Sequence, residues 1–241
     1  RAFDLSEKYQ VPAIILTDQY LGDTVFLTDD EFSAPDEIPR YVVGDSDLEH
    51  PEAYLRYLRA PSGISPRALP CAGRALVCAS GNEHLENGHI SEDKDNRTAM
   101  VDKRNAKLPA MTAEMRGPDV YHGEAALLLL GWGSSAGAII EAVDLMREKK
   151  MDVGCLTFTD LWPFPTEKVL SALGTGKKCL TVELNSSAAF RLLLRPLQIV
   201  VAAGQQDGPQ GRQVEQQQHP HHFPMQGRQY ITHVAGGAGQ A

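Results

Sequence analysis

The side chains with the widest chemical repertoire are concentrated between Gly63 and Arg104. Ser65-Pro66-Arg67 stands on a stiff turn, because proline fixes its own φ and pushes the preceding serine out of helical space. Arg67 carries a planar fork that grips a carboxylate or phosphate at two points. The alternative partner is the acidic arm from Asp29 to Glu37. His84 and His89 follow on a glycine-punctuated stretch, with Glu83, Glu86, Glu92 and Asp93 nearby. Imidazole and carboxylate together suit several divalent ions. The spacing is not that of a zinc-protease helix, and Gly88 interrupts regular geometry, so no metal ligand is assigned. Loop-fixing, hydrogen-bonded histidines are one alternative. Contact with a partner subunit close to an active centre is another.

Other candidates lie outside this stretch. Asp18 follows an apolar run and either orients a ligand or caps the next turn. Gly131-x-Gly133-x-x-x-Gly137 follows an apolar run and opens a helical pattern. Its third glycine is one place late for a dinucleotide fingerprint, and no acid stands at the end of the next strand. A tight turn and a nucleotide loop both remain open there. Cys71, Cys78, Cys155 and Cys179 form no Cys-x-x-Cys pair, so a local zinc or iron–sulfur site is not indicated. Cys78, Cys155 and Cys179 sit in apolar, strand-like runs and read as buried reduced thiols, which fits a cytoplasmic protein.

These side chains need elements to position them. A helix is expected over Phe3–Tyr9, and strands over Ala13–Thr17 and Arg74–Ala79. Thr24–Asp47 reads as an acidic arm or linker. Ser91, with Glu92 and Asp93 in the first turn, is expected to start a helix that runs on through Arg97–Lys107, its bases toward the end. Pro109–Gly123 reads as a second linker. Ala125–Leu130 is a fully apolar run fit for a buried parallel strand. Ser134 or Ser135 would cap the next helix, where Ile139, Ile140, Val143 and Met146 recur at helical spacing. Val153–Phe158 and Lys178–Glu183 complete a strand–helix–strand–helix–strand order, which requires a parallel, right-handed α/β unit. Trp162-Pro163-Phe164-Pro165 reads as a packing corner before a helix through Leu173, and Ser187–Leu194 as a last helix. Gln205–Gln229 is rich in Gln, Gly and His and is expected to be disordered. His219, His221 and His222 lie within it and receive no role.

Composition sets outer limits. The 241 residues suffice for one large domain or two small ones. A net charge of −8 leaves no basic footprint for nucleic acid. No apolar run is long enough to span a bilayer as a helix, and the charged, amphipathic start is unlike a secretory leader. A chain that opens with Arg1 inside a helical pattern reads as a fragment.

The quoted residues resemble the α subunit of 2-oxoacid:ferredoxin oxidoreductases, the 2-oxoglutarate type in particular. The resemblance rests on Gly63–Ala68, Glu83-His84, Gly88-His89, Glu92-Asp93 and Met100–Arg104. It extends back to Ala2–Leu5 and Val11–Leu21, and forward through Gly131–Ser134 and Trp162–Pro165 to Glu183. It covers roughly the first three quarters of the chain in collinear order. Cys71 stands where relatives commonly have glycine. After Asn185 the glycine and glutamine of the relatives are absent, and the stretch after Pro196 does not match.

The resemblance implies an α/β fold. Residues 1–110 would be the end of a pyrimidine-side thiamine-diphosphate domain with a linker and functional loop. Residues 120–195 would be a parallel-sheet, transketolase C-terminal-like domain, and 196–241 a disordered, low-complexity tail. It also implies an oxidative decarboxylation of a 2-oxoacid to acyl-coenzyme A with ferredoxin reduction. The cofactor would be thiamine diphosphate with magnesium, bound together with a β subunit that carries an iron–sulfur cluster. The activating glutamate and the Tyr-Pro-Ile-Thr-Pro and Arg-Gly-Gly-Pro motifs of that family do not occur here and would lie upstream of Arg1. No cofactor-binding or catalytic residue is therefore assigned, and Arg67, His84 and His89 are candidates for positions beside the site. Two other classes stay open: a nucleotide-binding α/β module built on the Gly131 loop, and a non-catalytic interaction domain from a decayed subunit.

Overall fold

The computed structural model describes residues 1–25, 27–29, 39–185 and 187–195, together with the backbone of 230–235. In chain order the helices are α1 (Ala2–Tyr9), α2 (Gln19–Asp23), α3 (Lys94–Asn105), α4 (Leu108–Glu114), α5 (Ser135–Glu148), α6 (Thr166–Leu173) and α7 (Ala189–Leu194). The strands are β1 (Asp119–Tyr121), β2 (Leu127–Trp132), β3 (Val153–Phe158), β4 (Lys178–Glu183) and β5 (Tyr230–Ala235). The chain divides into two compact units. One comprises Arg1–Leu16 and Val25–Glu114; the other comprises Thr17–Thr24 and Met115–Ala241.

The second unit is built on one sheet of order β1-β3-β2-β4-β5. Strands β3, β2 and β4 run parallel, as the strand–helix alternation requires. β1 lies antiparallel on β3, and β5 antiparallel on β4. Helices cover both faces of the parallel centre, so β3 is buried along its whole length. One face packs Leu128, Leu130, Leu156, Phe158, Phe164, Val169 and Phe190 into a single cluster. On the other, Ile139 and Val143 of α5 meet Leu129, Val153 and Cys155. The corner at Trp162–Pro165 buries Pro163, Phe164 and Pro165 and leaves Trp162 71% exposed.

The first unit is held differently. Among the described residues its buried apolar side chains are few: Tyr9, Pro51, Ala68, Ala75 and Met100. Polar contacts between distant segments do much of the holding. The Tyr9 hydroxyl donates to Glu114 Oε2 at 2.5 Å, and Lys8 pairs with the same carboxylate at 2.7 Å, which joins α1 to α4. Asp93 caps α3, its carboxylate accepting from the Asn96 N–H at 2.7 Å.

Several expectations need correction. The run 13–17 is not a strand, and Ile14 and Ile15 are 82% and 73% exposed. A strand exists only where a neighbour takes its backbone groups, and among the described residues none does so here. Arg74–Ala79 is likewise unpaired, and Cys78 is only half-buried. Cys155 and Cys179 are buried as expected. Burial pushes both thiols up, Cys179 to about 11. The start of α3 is capped by Asp93, not Ser91; the Ser91 hydroxyl instead accepts from the Asp93 N–H. The supposed second linker contains α4 and β1. Ser134 and Ser135 give α5 no side-chain cap: Ser134 reaches Asp18, and Ser135 donates to the Trp132 carbonyl at 2.8 Å. The Gln205–Gln229 stretch with its histidines, and residues 26 and 30–38 of the acidic arm, lie outside the described residues. The tail contributes β5, where no element was expected.

Candidate functional site

The polar motifs of the first unit converge. Gly63, at φ 72°, sits against α3: a Cβ there would overlap the Lys103 carbonyl and stand 2.9 Å from Lys107 Cγ. Only glycine tolerates both that conformation and that approach. The Gly63–Ala68 turn is thereby seated on the Met100–Arg104 segment. Ser65 is buried; its hydroxyl donates to the Leu58 carbonyl at 2.9 Å. Its own carbonyl accepts from Gln10 Nε2 at 2.6 Å.

His84 and His89 fall on one hairpin. His84 bridges Ile90, and the Leu85 N–H donates to the His89 carbonyl at 2.8 Å. The His84 ring stacks on Tyr57 with centroids 3.6 Å apart, and its Nδ1 lies 2.7 Å from the Asn82 carbonyl. His89 is exposed. Glu83 binds Arg104 in a bidentate pair at 3.2 and 2.8 Å, which holds its carboxyl below the usual range. Glu86 accepts from the Arg59 N–H at 2.8 Å and pairs with the Arg59 guanidinium at 3.0 Å, with the same effect. Among the described residues, no group of three or more His, Cys, Asp or Glu is placed to hold a metal ion.

Arg67 is engaged elsewhere in this unit. Its guanidinium pairs with Glu7 of α1 and donates to the Arg40 carbonyl. Among the described residues the partner of Arg67 is a helix carboxylate, which Arg67 holds below its ordinary pKa; residues 30–37 of the acidic arm lie outside the described residues. The structure brings His84 and His89 together on the hairpin and gives Arg67 a separate set of contacts.

Arg56, Tyr57 and Gln10, which sequence reasoning passed over, complete the cluster with Lys103 and Lys107. The Arg56 guanidinium lies 5.0 Å, and Lys103 Nζ 5.6 Å, from the Tyr57 ring centroid. Arg56 donates to Gln10 Oε1 at 3.0 Å, and Lys107 Nζ to the Gln10 carbonyl at 3.2 Å. Gln10 thus ties α1, the serine turn and two cations together. The available signal was Lys103 and Lys107, four apart on one helical face.

With this geometry established, comparison with known proteins decides the lineage. Residues 125–209 match the pyruvate:ferredoxin oxidoreductase core domain II model. The α subunit of 2-oxoacid:ferredoxin oxidoreductase 2 from Aeropyrum pernix is 34% identical over 202 residues, 81% of this chain and 30% of that subunit. This chain is a homologue of the 2-oxoacid:ferredoxin oxidoreductase α subunits. The 2-oxoglutarate synthase subunit KorA of Methanothermobacter thermautotrophicus is 26% identical over 85% of this chain and 52% of its own length. Among solved structures, 2-oxoglutarate:ferredoxin oxidoreductase from Magnetococcus marinus, with 2-oxoglutarate, coenzyme A and succinyl-CoA bound, superposes with a TM-score of 0.55 at 27% identity. It covers 62% of this chain and 26% of that one. The chain thus spans about a third of the Aeropyrum α subunit's length.

In this α-subunit homologue Gly131 lies within β2, and Gly133 and Gly137 have open space around them. A Cβ on Gly131 would overlap Ile139 Cδ1, so the glycine admits close packing of α5 on β2. Asp18 caps α2, accepting from the Leu21 N–H at 2.9 Å, and its other oxygen accepts from the Ser134 hydroxyl at the start of α5. These bonds hold the Asp18 carboxyl below its ordinary pKa. An anion is therefore already seated where a phosphate would have to approach. Glu183 is also occupied. Buried to 2% exposure, it accepts from the Phe190 and Arg191 N–H groups at 2.8 and 3.1 Å, and from Asn185 Nδ2 at 2.8 Å, which caps α7. Among the described residues, no helix is long and apolar enough to cross a membrane.

Proposed function

We propose that this chain works as part of the α subunit of a 2-oxoacid:ferredoxin oxidoreductase. The assembly would decarboxylate a 2-oxoacid oxidatively, form an acyl-coenzyme A and reduce ferredoxin. The observation that carries this reading is the collinear match over 81% of the chain to an α subunit that carries that name. The parallel unit is proposed to be the transketolase C-terminal-like domain, and residues 1–110 the functional loop segment. Thiamine diphosphate and magnesium would be held with a β subunit, which would also carry the iron–sulfur cluster. When bound, thiamine diphosphate supplies the stabilised carbanion. The residues present offer it no assigned site: the Tyr-Pro-Ile-Thr-Pro and Arg-Gly-Gly-Pro motifs do not occur in the sequence. No chemical step is therefore assigned to this chain, and the isolated chain is expected not to turn over substrate. Its own contribution is to hold the serine turn, the hairpin and α3 in fixed relation.

The test is purification of the native protein through this chain, followed by mass spectrometry and assay for thiamine diphosphate and iron. Recovery with a thiamine-binding, cluster-bearing partner supports the reading. Recovery alone, or with proteins that hold neither group, refutes it and favours a decayed, non-catalytic domain.

A further inference from the structure

The charge beside Tyr57 is unbalanced. Glu83 is taken by Arg104, with Arg97 at 3.8 Å, and Glu86 is taken by Arg59. Among the described residues, Arg56 and Lys107 hydrogen-bond to the neutral oxygens of Gln10 and form no ion pair. Lys103 has the face of Tyr57 and, among the described residues, no carboxylate within ion-pairing distance. Lys107 is only 8% exposed, and Lys103, Arg56 and Tyr57 are half-buried. Three cations are thus drawn partly out of water beside one another, and the carboxylate that acts on Lys103, Glu86, is already paired with Arg59. Partly buried like charges destabilise one another unless a counter-charge is supplied.

We propose that Arg56, Lys103 and Lys107 together form a binding site for the phosphate group of a small-molecule ligand, beside the Tyr57–His84 stack. A phosphate group suits this set better than a carboxylate. It brings up to two negative charges to three cations, and it offers several acceptor oxygens to two point-charge lysines and one guanidinium fork. Gln10 holds Arg56 and Lys107 in place, and the Gly63 turn fixes α3, so the donors are set before the ligand arrives. The electrostatics agree. Burial, then Lys107 and Arg56, push the Lys103 amine down to about 8, and Lys107 moves in the same direction. A bound dianion reverses that pressure. The inference is independent of the oxidoreductase reading, since it rests only on charges within this chain.

The experiment is calorimetric titration of the full chain with inorganic pyrophosphate at constant ionic strength. It is paired with NMR of 13C-labelled lysine to follow the Lys103 titration. Saturable binding is expected, and the Lys103 midpoint should climb from about 8 toward the ordinary lysine value when pyrophosphate is bound. Lys103→Met and Arg56→Met should each weaken binding by about tenfold or more. Lys103→Arg, which keeps the charge, should bind within about threefold of the parent. Lys149→Met, an exposed lysine after α5, should change nothing. If Lys103→Met fails to fold, the parent NMR titration and Lys103→Arg carry the test. Absence of saturable binding, an unmoved Lys103 midpoint at saturation, or equal weakening by Lys149→Met would overturn the proposal.

Discussion

Gly63 packs so closely on the Lys103 carbonyl that a methyl group cannot be placed between them. The contact joins the serine turn to the basic helix and sets the spacing of everything around Tyr57. Gly63→Ala adds a side chain at φ 72° against backbone that has no room to give. We expect a loss of about 2 kcal/mol or more. Urea denaturation followed by circular dichroism measures it. A neutral substitution would show that the turn and helix are not in contact.

Lys103 gives a pH signature. Its folded-state pKa lies near 8, below the ordinary 10.5 of the unfolded chain. Below pH 8 both states carry the proton, and the folded state bears the full cost of the charge. Between about 8 and 10.5 the folded protein releases the proton while the unfolded chain keeps it. The Lys103 contribution to stability therefore rises with pH across that window. The check is the difference in unfolding free energy between parent and Lys103→Met, measured from pH 7 to 10. The variant's advantage should shrink as pH rises; a constant difference would contradict the assignment.

Glu83 and Arg104 form a part-exposed, two-pronged pair, so its coupling is modest. A double-mutant cycle with Glu83→Gln and Arg104→Met should give about 0.5–1 kcal/mol at pH 7. Because Arg104 lowers the Glu83 pKa, this stability is present above the ordinary value of 4.5 and is lost as pH falls through the depressed one. Coupling that persists unchanged in acid would rule out the ion pair.

In the parallel unit, Gly131→Ala should cost about 1–3 kcal/mol, since the new methyl meets Ile139 Cδ1. Ile139→Val removes that atom. The double variant should therefore be more stable than the sum of the two single losses predicts, by calorimetric melting. Strict additivity would mean that the glycine serves something other than packing.

The contrast between the two units explains what could be read from sequence. β2, α5, β3, α6, β4 and α7 are amphipathic or apolar elements that bury one another, so their periods are visible in the residues. β1 is three residues, Asp119-Val120-Tyr121, too short to show a period. α4 was hidden by Pro109, which a helix tolerates in its first turn. Ala13–Thr17 and Arg74–Ala79 have strand-like composition without a neighbouring strand, and composition cannot supply one. The site divides the same way. Its turn, hairpin and helix were marked by Gly63, His84 and Lys103. Their meeting at Tyr57 and Gln10 depends on contacts across 46 or more positions between Gln10 and the rest, which no local pattern records. Arg67 was noticed for its fork, while its partner Glu7 lies in a helix far upstream.

The most direct test of the functional reading is turnover by the native assembly purified through this chain. With a 2-oxoacid and coenzyme A, it should reduce a viologen dye in a thiamine-diphosphate-dependent manner, and the isolated chain should not. Reduction by the isolated chain, or an assembly that holds thiamine diphosphate and a cluster yet reduces no dye with any 2-oxoacid, would contradict it.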